Sequence, residues 1–174
     1  MQRDLELLEG LGDKVILRCY QWTAGWISYG YFQNQPEAEK EFPAEGLRFV
    51  RRPTGGGVVD HRNDFTYSLL APKKHPLSLL PRVECYQRVH EIIQEALTLE
   101  KLSSTMAAKE EGGGSSCFVH PVPGDIIDPH TSRKIAGAAQ RRTRLGLLHQ
   151  GSILIPEMKV SSLVSAFSSS RLIS

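Results

Sequence analysis

The sequence predicts an α+β fold in which a mixed, largely antiparallel β-sheet packs against helices. Short runs rich in β-branched and apolar residues, such as "KVILRCY" at 14–20, are separated by turn residues and predict many strands. One long amphipathic helix is predicted over 79–97. Strands and helices do not alternate regularly, which argues against a doubly wound parallel sheet and favours α+β.

The first part of the chain predicts short helices between strands. The predicted helices are 2–9 and 36–42, the second beginning with a proline, and the predicted strands are 14–20, 27–32 and 46–52. Residues 57–61 and 65–71 have the pattern of a hairpin joined by "RND".

The second part is dominated by the long helix. Its apolar stripe recurs at steps of three and four residues: Val83, Tyr86, Val89, Ile93 and Leu97. Residues 101–116 are polar and end in Gly and Ser, which predicts a mobile loop, and 117–132 read as irregular. Residues 133–142 and 145–155 predict a strand pair. The Ser-rich residues 156–174 fit either a frayed helix or a disordered tail.

Composition narrows the functional class. The 174 residues suit one domain, and a net charge of +2 is too weak to indicate nucleic acid, although it is compatible with an acidic protein partner. No apolar run approaches the ~18 residues of a membrane span, and no signal peptide is recognisable. Three cysteines without CxxC spacing predict neither a metal site nor a disulfide framework. The expectation is a cytoplasmic protein with free thiols that binds neither membrane nor nucleic acid.

The stretch "RRPTGGGVVDHRNDFTYS" at 51–68 is the strongest local signal. Three consecutive glycines between strand-like runs let a ligand lie directly on backbone amides, and Arg51 and Arg52 add charge for a phosphate or carboxylate. The alternative is a Gly-rich hairpin corner with solvated arginines. No GK[ST] follows and the stretch leads into a strand, so neither a P-loop nor a dinucleotide-binding turn is indicated.

Three further residues are candidates for function. Lys134 opens a strand of small residues that leave room for a ligand, or it is a solvent-facing lysine at a strand end. His61 and His149 each lie in or next to a strand, where a histidine is either a hydrogen-bonded structural residue or a catalyst.

The cysteines divide into two kinds. Cys117 follows the polar loop and is a candidate nucleophile if nearby cations lower its pKa, or an inert thiol if they do not. Cys19 and Cys85 lie among apolar neighbours and are predicted to be small core residues.

Three blocks in order resemble the biotin/lipoate protein ligase superfamily, in its lipoate ligase and octanoyltransferase branch. They are "LRCYQWTAGWISYGYFQ" at 17–33, "RRPTGGGVVDHRNDFTYS" at 51–68 and "RKIAGAAQRRTRLGLLHQGSILI" at 133–155. The resemblance implies that superfamily's catalytic-domain fold. It also implies a glycine loop over the acyl group and a lysine, here Lys134, on the acyl carbonyl. The substrate-binding residues it implies are Arg51, Arg52, Thr54, Gly55, Gly56, Gly57, Val58, His61, Gly137, Ala138, Gln140, His149 and Gly151.

The presence of a cysteine before Lys134 distinguishes two chemistries within that branch. Cys117 begins "CFVHP" and lies seventeen positions before Lys134, as in one octanoyltransferase subfamily. The resemblance therefore implies transfer of an octanoyl or lipoyl group from acyl carrier protein, through a thioester on Cys117, to a lysine of a lipoyl domain or glycine-cleavage H-type protein. No cofactor or metal is then required. The alternatives are an ATP-dependent lipoate ligase, which would use ATP and Mg²⁺, and a non-catalytic acyl-binding relative.

The resemblance also predicts the domain organisation. Residues 1–155 are expected to form one catalytic domain of this type that is short at its N-terminus. Residues 156–174 are expected to be a Ser-rich tail, a truncated form of the C-terminal extension of the octanoyltransferases. The basic turn of Arg141, Arg142 and Arg144 is either a docking element for an acidic partner or a solvated turn.

Overall fold

The computed structural model describes residues 1–108 and 121–172 and contains two β-sheets. The larger sheet has the strand order β1-β5-β9-β8-β7-β6, and each neighbouring pair in it is antiparallel. Its strands are β1 (Ile16–Tyr20), β5 (Phe65–Pro72), β6 (Thr105–Met106), β7 (Ile126–Ile127), β8 (Lys134–Arg142) and β9 (Gly146–Ile153).

The smaller sheet has β2 (Trp26–Tyr29) at its centre. It pairs in parallel with β3 (Arg48–Arg51) and antiparallel with β4 (Val59–Asp60). The helices are α1 (Gln2–Glu9), α2 (Gln35–Glu41), α3 (Pro76–Leu79), α4 (Arg82–Leu99) and α5 (Val160–Ser169). The predicted α+β class with a mixed, largely antiparallel sheet is confirmed.

The two faces of the larger sheet are covered differently. Tyr67 and Leu69 of β5 belong to the main core with α4 and α5, whereas Leu70 packs in a second cluster with Leu8 and Leu11 from α1 and the turn after it. Because side chains alternate along a strand, odd and even positions of β5 serve opposite faces. This alternation decides which candidate residues can meet.

The predicted hairpin of 57–61 with 65–71 is wrong. β4 pairs with β2 in the smaller sheet, and β5 lies between β1 and β9 in the larger one. All eight residues of β5 are buried, and a fully buried strand needs a hydrogen-bonded neighbour on each side. The short run at 57–61 could have supplied only one of these two neighbours.

Two further details differ from the predicted elements. The strand expected over 27–32 ends at Tyr29, because Gly30 and Gln33 form a turn in which Gln33 N donates to Gly30 O at 3.0 Å. Val83, placed on the apolar stripe of the long helix, is 65% exposed. The buried face of α4 is instead formed by Cys85, by Val89 one turn later and by residues of the following turns.

The Ser-rich segment near the C-terminus forms α5 rather than a disordered tail. Leu163, Ala166 and Phe167 recur at helical spacing and are buried in the main core beside α4. That apolar stripe stabilises the helix although half of its residues are serines. The division of the chain at residue 155 stays a prediction. In the described part of the chain, no helix is long and apolar enough to cross a membrane.

Candidate active site

The glycine loop, residues 53–57, lies against the end of β2. Tyr31 N donates to Thr54 O at 2.8 Å, and a Cβ built on Gly30 would come within 1.9 Å of Gly56 O. Gly56 has φ +88°, a conformation that favours glycine. The first glycine is different, because a Cβ on Gly55 would meet no described atom within 4 Å. As far as the described residues are concerned, the side of the loop at Gly55 is therefore open to a ligand.

Arg52 is a buried cation that holds the loop from behind. Its guanidinium donates to Gly55 O at 3.0 Å and Gly57 O at 2.7 Å, and also to the backbone oxygen and hydroxyl of Ser28. Because these carbonyls are turned toward Arg52, the shape of the loop depends on it. The predicted substrate contact of Arg52 stays a prediction.

His61 extends this support in a line of three side chains. Its Nε2 lies 2.6 Å from Ser28 Oγ and its Nδ1 lies 2.6 Å from Asp64 Oδ2, while its ring stacks on Trp22. The order serine, histidine, carboxylate is that of a hydrolase triad. Here, however, Ser28 is fully buried and accepts a hydrogen bond from Arg52, so the three residues brace the loop instead of presenting a nucleophile.

A second support comes from the N-terminal helix. Buried Asp4 of α1 accepts from Gln150 Nε2 at 2.7 Å, and Gln150 Oε1 accepts from Thr54 Oγ1 at 2.8 Å. Asp4 also accepts from Arg18 and Ser68. The glycine loop is thus tied to β9 by a buried hydrogen bond, and β9 to α1 by a buried, charge-assisted one.

Lys134 is not solvent-facing, since its side chain is only 6% exposed. Ile126 pairs with Ala136 but Ile127 pairs with Lys134, so β8 has one extra residue at this point. Such a bulge changes the direction of a side chain. It turns Lys134 over Gly137, where a Cβ would come within 2.5 Å of Lys134 Nζ. Gly137 pairs with Ser152, whose hydroxyl contacts Asp64, so Lys134 faces the side of the sheet on which the glycine loop lies.

Asp125 and Tyr86 set the position of this lysine. Lys134 Nζ lies 2.7 Å from Asp125 Oδ2, and the buried carboxylate also accepts from the Tyr86 hydroxyl and from Val122 N. The Tyr86 hydroxyl in turn accepts from Ala138 N at 3.0 Å. Burial and the Asp125 charge raise the pKa of Tyr86 well above its ordinary value, so its hydroxyl keeps its proton and donates.

An open groove of about 310 Å³ begins beside Tyr86. Its walls are the first turn of α4, the loop at 122–123 and the edge of β8 at 138–140, including Arg82, Val83, Val122, Pro123, Ala138, Ala139 and Gln140. Most of these side chains are apolar or small. The exposed Val83 thus lines a groove that adjoins the Lys134–Asp125 pair.

His149 lies on the opposite face of the sheet from the glycine loop. It pairs with Leu69, packs beside Tyr67, and its Nδ1 accepts from Gln140 Nε2 at 3.1 Å. Burial, and then the neighbouring His90, lower its pKa well below the ordinary value, so it is neutral. The structure therefore does not bring His149 together with the glycines, and its role in substrate binding stays a prediction.

The structure accounts for the other predicted residues as follows. Val58 is buried in the core of the smaller sheet, and Gly151 leaves the space that the Tyr67 ring occupies. Arg51 is exposed at the end of β3 beside the Tyr31 ring. Gly137, Thr54 and Gly55–Gly57 lie on the Lys134 side of the sheet, whereas Gln140 belongs to the His149 side.

The described cysteines are poor nucleophiles. Burial raises the pKa of Cys19 to about 11 and also raises that of Cys85. Both are packed against or within the main core, as predicted. Cys117 lies outside the described residues, as do residues 109–116 of the predicted loop, whose first half contains the strand β6 instead. In residues 1–108 and 121–172, no group of three His, Cys, Asp or Glu side chains could hold a metal ion.

We expect the two buried histidines of this region to make stability fall with acid. Burial lowers the pKa of His90 from 6.5 to about 4, so the unfolded chain binds its proton first as the pH falls below 6.5. Between pH 7.5 and pH 5, His90 alone should cost about 2 kcal/mol of unfolding free energy. Urea unfolding at the two pH values measures this loss. His90→Leu should reduce it, and His130→Gln, at an exposed site, should not. An equal loss in His90→Leu would contradict this assignment.

Comparison with known proteins gives the family. The profile of the lipoyl protein ligase A/B catalytic domain matches residues 1–171. The chain belongs to this family. Octanoyltransferase LipM of Brevibacillus brevis is 34% identical over 165 residues, which are 86% of this chain and 57% of the relative. LipM of Geobacillus kaustophilus is 35% identical over 80% of this chain and 53% of its own length. The chain thus spans little more than half the length of the curated relatives that it matches.

Solved structures agree on the fold. Protein Ta0514 of T. acidophilum, solved with bound lipoic acid, matches with a TM-score of 0.73 at 21% identity and covers 98% of this chain and 79% of its own. A lipoate-protein ligase A bound with ATP matches with a TM-score of 0.70 at 21% identity, over 97% of this chain and 78% of its own. At these identities the likeness concerns the lipoyl ligase fold alone.

Several residues of the site are not among those that the sequence of this lipoyl ligase family member predicts. They are Asp125, Tyr86, Gln150, Ser28 and Asp64. Tyr86 was assigned to the apolar stripe of the helix, and Asp125 lies in the irregular "PGDII" segment. Gln150 could be predicted from the sequence, because it follows His149 in "HQGSIL" and must therefore point to the other face of the strand.

Proposed function

We propose that this chain is the catalytic part of an acyltransferase of lipoate metabolism. It would move an octanoyl or lipoyl group from acyl carrier protein, through a thioester on Cys117, to a lysine of a lipoyl domain or H-type protein. The observation that carries the proposal is the buried Lys134, held by Asp125 over Gly137 on the glycine-loop side of the sheet. The octanoyltransferase relatives support this chemistry over that of a ligase.

The acyl group would lie between the glycine loop and the edge of β8. The open space at Gly55 admits the thioester end of the substrate against the loop. The groove beside Tyr86 runs along the edge of β8 and reaches Ala139, which pairs with Gln150 on the glycine-loop face, and its small and apolar walls suit an eight-carbon chain. The carbonyl carbon would then lie near the Lys134 ammonium, which is positioned by its ion pair with Asp125.

The reaction has two balanced steps. The Cys117 thiolate attacks the thioester carbonyl, the new C–S bond forms, and the carrier's pantetheine thiolate leaves and takes up a proton. The acceptor's lysine amine then attacks the acyl-enzyme, releases the Cys117 thiol and keeps the acyl group as an amide. In each step Lys134 donates to the carbonyl oxygen as it becomes an oxyanion, a contribution of about 3 kcal/mol to the barrier.

Cys117 is the thiol of choice because the pKa values of the other two are raised by burial. A thioester is already activated, so the proposed transfer needs neither ATP nor a metal ion. The cytoplasm, where both protein substrates are expected and thiols stay reduced, is the proposed compartment.

An ATP-free transfer assay tests the function. The protein is incubated with octanoyl-acyl carrier protein and an isolated lipoyl domain, and the mass of the lipoyl domain is recorded. We expect octanoylation of the domain by wild type and by Cys85→Ala, but not by Cys117→Ala. Octanoylation that occurs only with free octanoate, ATP and Mg²⁺ would establish the ligase alternative instead. No modification under either condition would leave a non-catalytic acyl-binding relative.

A further inference from the structure

A largely exposed aromatic and basic surface, in which Arg141 is half-buried, lies next to the glycine loop. It consists of Tyr31, Phe32, Arg51 and Arg141 and is called the aromatic–arginine patch below. Phe32 is 90% exposed and Tyr31 43%, and their rings meet edge-on with centroids 5.2 Å apart. Single exposed apolar residues are common on protein surfaces. Two adjacent aromatic rings flanked by two guanidinium groups are not explained in that way.

The charges of the patch are not neutralised within the described part of the chain. The guanidinium groups of Arg51 and Arg141 lie 5.4 and 5.1 Å from the centroid of the Tyr31 ring, and neither forms an ion pair with a described carboxylate. Four other arginines do form such pairs: Arg3, Arg18, Arg62 and Arg88. A partner with carboxylates on its surface would complement the patch.

The patch is directly connected to the site. Tyr31 N donates to Thr54 O at 2.8 Å, and Arg141 donates to Pro53 O at 3.2 Å, so one backbone amide and one guanidinium of the patch hold the backbone of the loop. Gly30, immediately before the patch, touches the backbone of Gly56. A protein that covers the patch therefore comes close to the glycine loop.

We propose that the aromatic–arginine patch is the docking surface for the acidic domain that carries the acceptor lysine. This inference rests on the proposed function. A lysine side chain has only four methylenes, so the body of its domain must come close to the acyl group. A carrier protein that presents its acyl group on a long pantetheine arm has no such need. Phe32 would supply the apolar anchor and the two arginines the charge complementarity.

Direct binding tests the patch without depending on any chemistry. The probe is an isolated, negatively charged E2 lipoyl domain, titrated by NMR with wild type and with Phe32→Ser. We expect Phe32→Ser to weaken binding about tenfold. The control Leu79→Ser, at another exposed apolar residue on α3, should leave binding unchanged. Equal binding by Phe32→Ser and wild type would overturn the proposal.

Two substitutions on the same strand, β3, test the contribution of charge to binding. Arg51→Glu should weaken binding and flatten its salt dependence. Arg48→Glu is the matched control, because Arg48 is exposed on the same strand and lies over the Trp26 ring. Equal effects of the two substitutions would mean that only the net charge of the protein matters, which would overturn the docking assignment.

Half-reactions separate this proposal from the proposed function. Phe32→Ser should form the acyl-enzyme from octanoyl-pantetheine at the wild-type rate, yet pass the group to the lipoyl domain with about tenfold lower kcat/KM. A loss confined to the step with octanoyl-acyl carrier protein would mean that the patch binds the donor protein. That result would overturn its assignment to the acceptor domain. If wild type forms no acyl-enzyme, the proposed function fails, while the binding titration still decides the docking surface.

Discussion

Replacing Lys134 with methionine is expected to lower octanoyl transfer about 100- to 1000-fold. The reason is the loss of the cation that meets the oxyanion in both steps. The same change leaves the Asp125 carboxylate buried without its ion-pair partner, which should cost about 3 kcal/mol of unfolding free energy. Transfer rates and urea unfolding measure the two effects separately.

The double variant Lys134→Met with Asp125→Asn separates catalysis from stability. Removing both charges should restore much of the unfolding free energy but none of the transfer. Lys159→Met is a matched control, since Lys159 pairs with Glu100 but is 69% exposed, and it should change neither quantity much. Near wild-type transfer by Lys134→Met would remove this lysine from the chemistry.

Replacing Gly30 with alanine is expected to cost about 1 to 3 kcal/mol of stability and to displace the glycine loop. The new Cβ would stand 1.9 Å from Gly56 O, and both groups belong to backbone that is hydrogen-bonded in place. Urea unfolding and the transfer rate should both fall. Gly10→Ala, where the Cβ would make an ordinary contact at 3.6 Å, should leave both near wild type.

Gly55→Ala gives the complementary result. Because its Cβ meets no described atom within 4 Å, the free energy of unfolding should stay near that of wild type. If the acyl thioester lies over this glycine, KM for the octanoyl donor should rise. An unchanged KM would show that the substrate does not use this side of the loop, and an unchanged stability of Gly30→Ala would contradict the close contact behind it.

The sequence predicts local structure well where the signal is local. The strand pair of β8 and β9 and the helices α1 and α2 follow from signals within short stretches of sequence, such as the apolar runs of the two strands and the proline at the start of α2. The partner of β4 does not, because pairing between distant strands depends on which faces become buried. Val83 was misassigned for the same reason, since helical periodicity alone does not say where a helix leaves the sheet.

For the site, the sequence motifs predict the glycine loop and Lys134 as candidates but do not indicate the groups that position them. The bulge in β8 turns Lys134 toward the glycine loop side, and neither the bulge nor the pairing with Asp125 has a signature at fixed spacing. His149 shows the opposite case. Its motif suggested a place beside the glycines, yet alternation along β9 puts Gln150 there instead.

The proposed transfer depends above all on an acyl-enzyme at Cys117, and intact-mass spectrometry tests this most directly. The protein is incubated with octanoyl-acyl carrier protein, without ATP and without an acceptor. We predict one octanoyl adduct that hydroxylamine removes, present in wild type, Cys19→Ala and Cys85→Ala and absent from Cys117→Ala. No adduct on wild type, or an adduct that persists in Cys117→Ala, would contradict transfer through this cysteine.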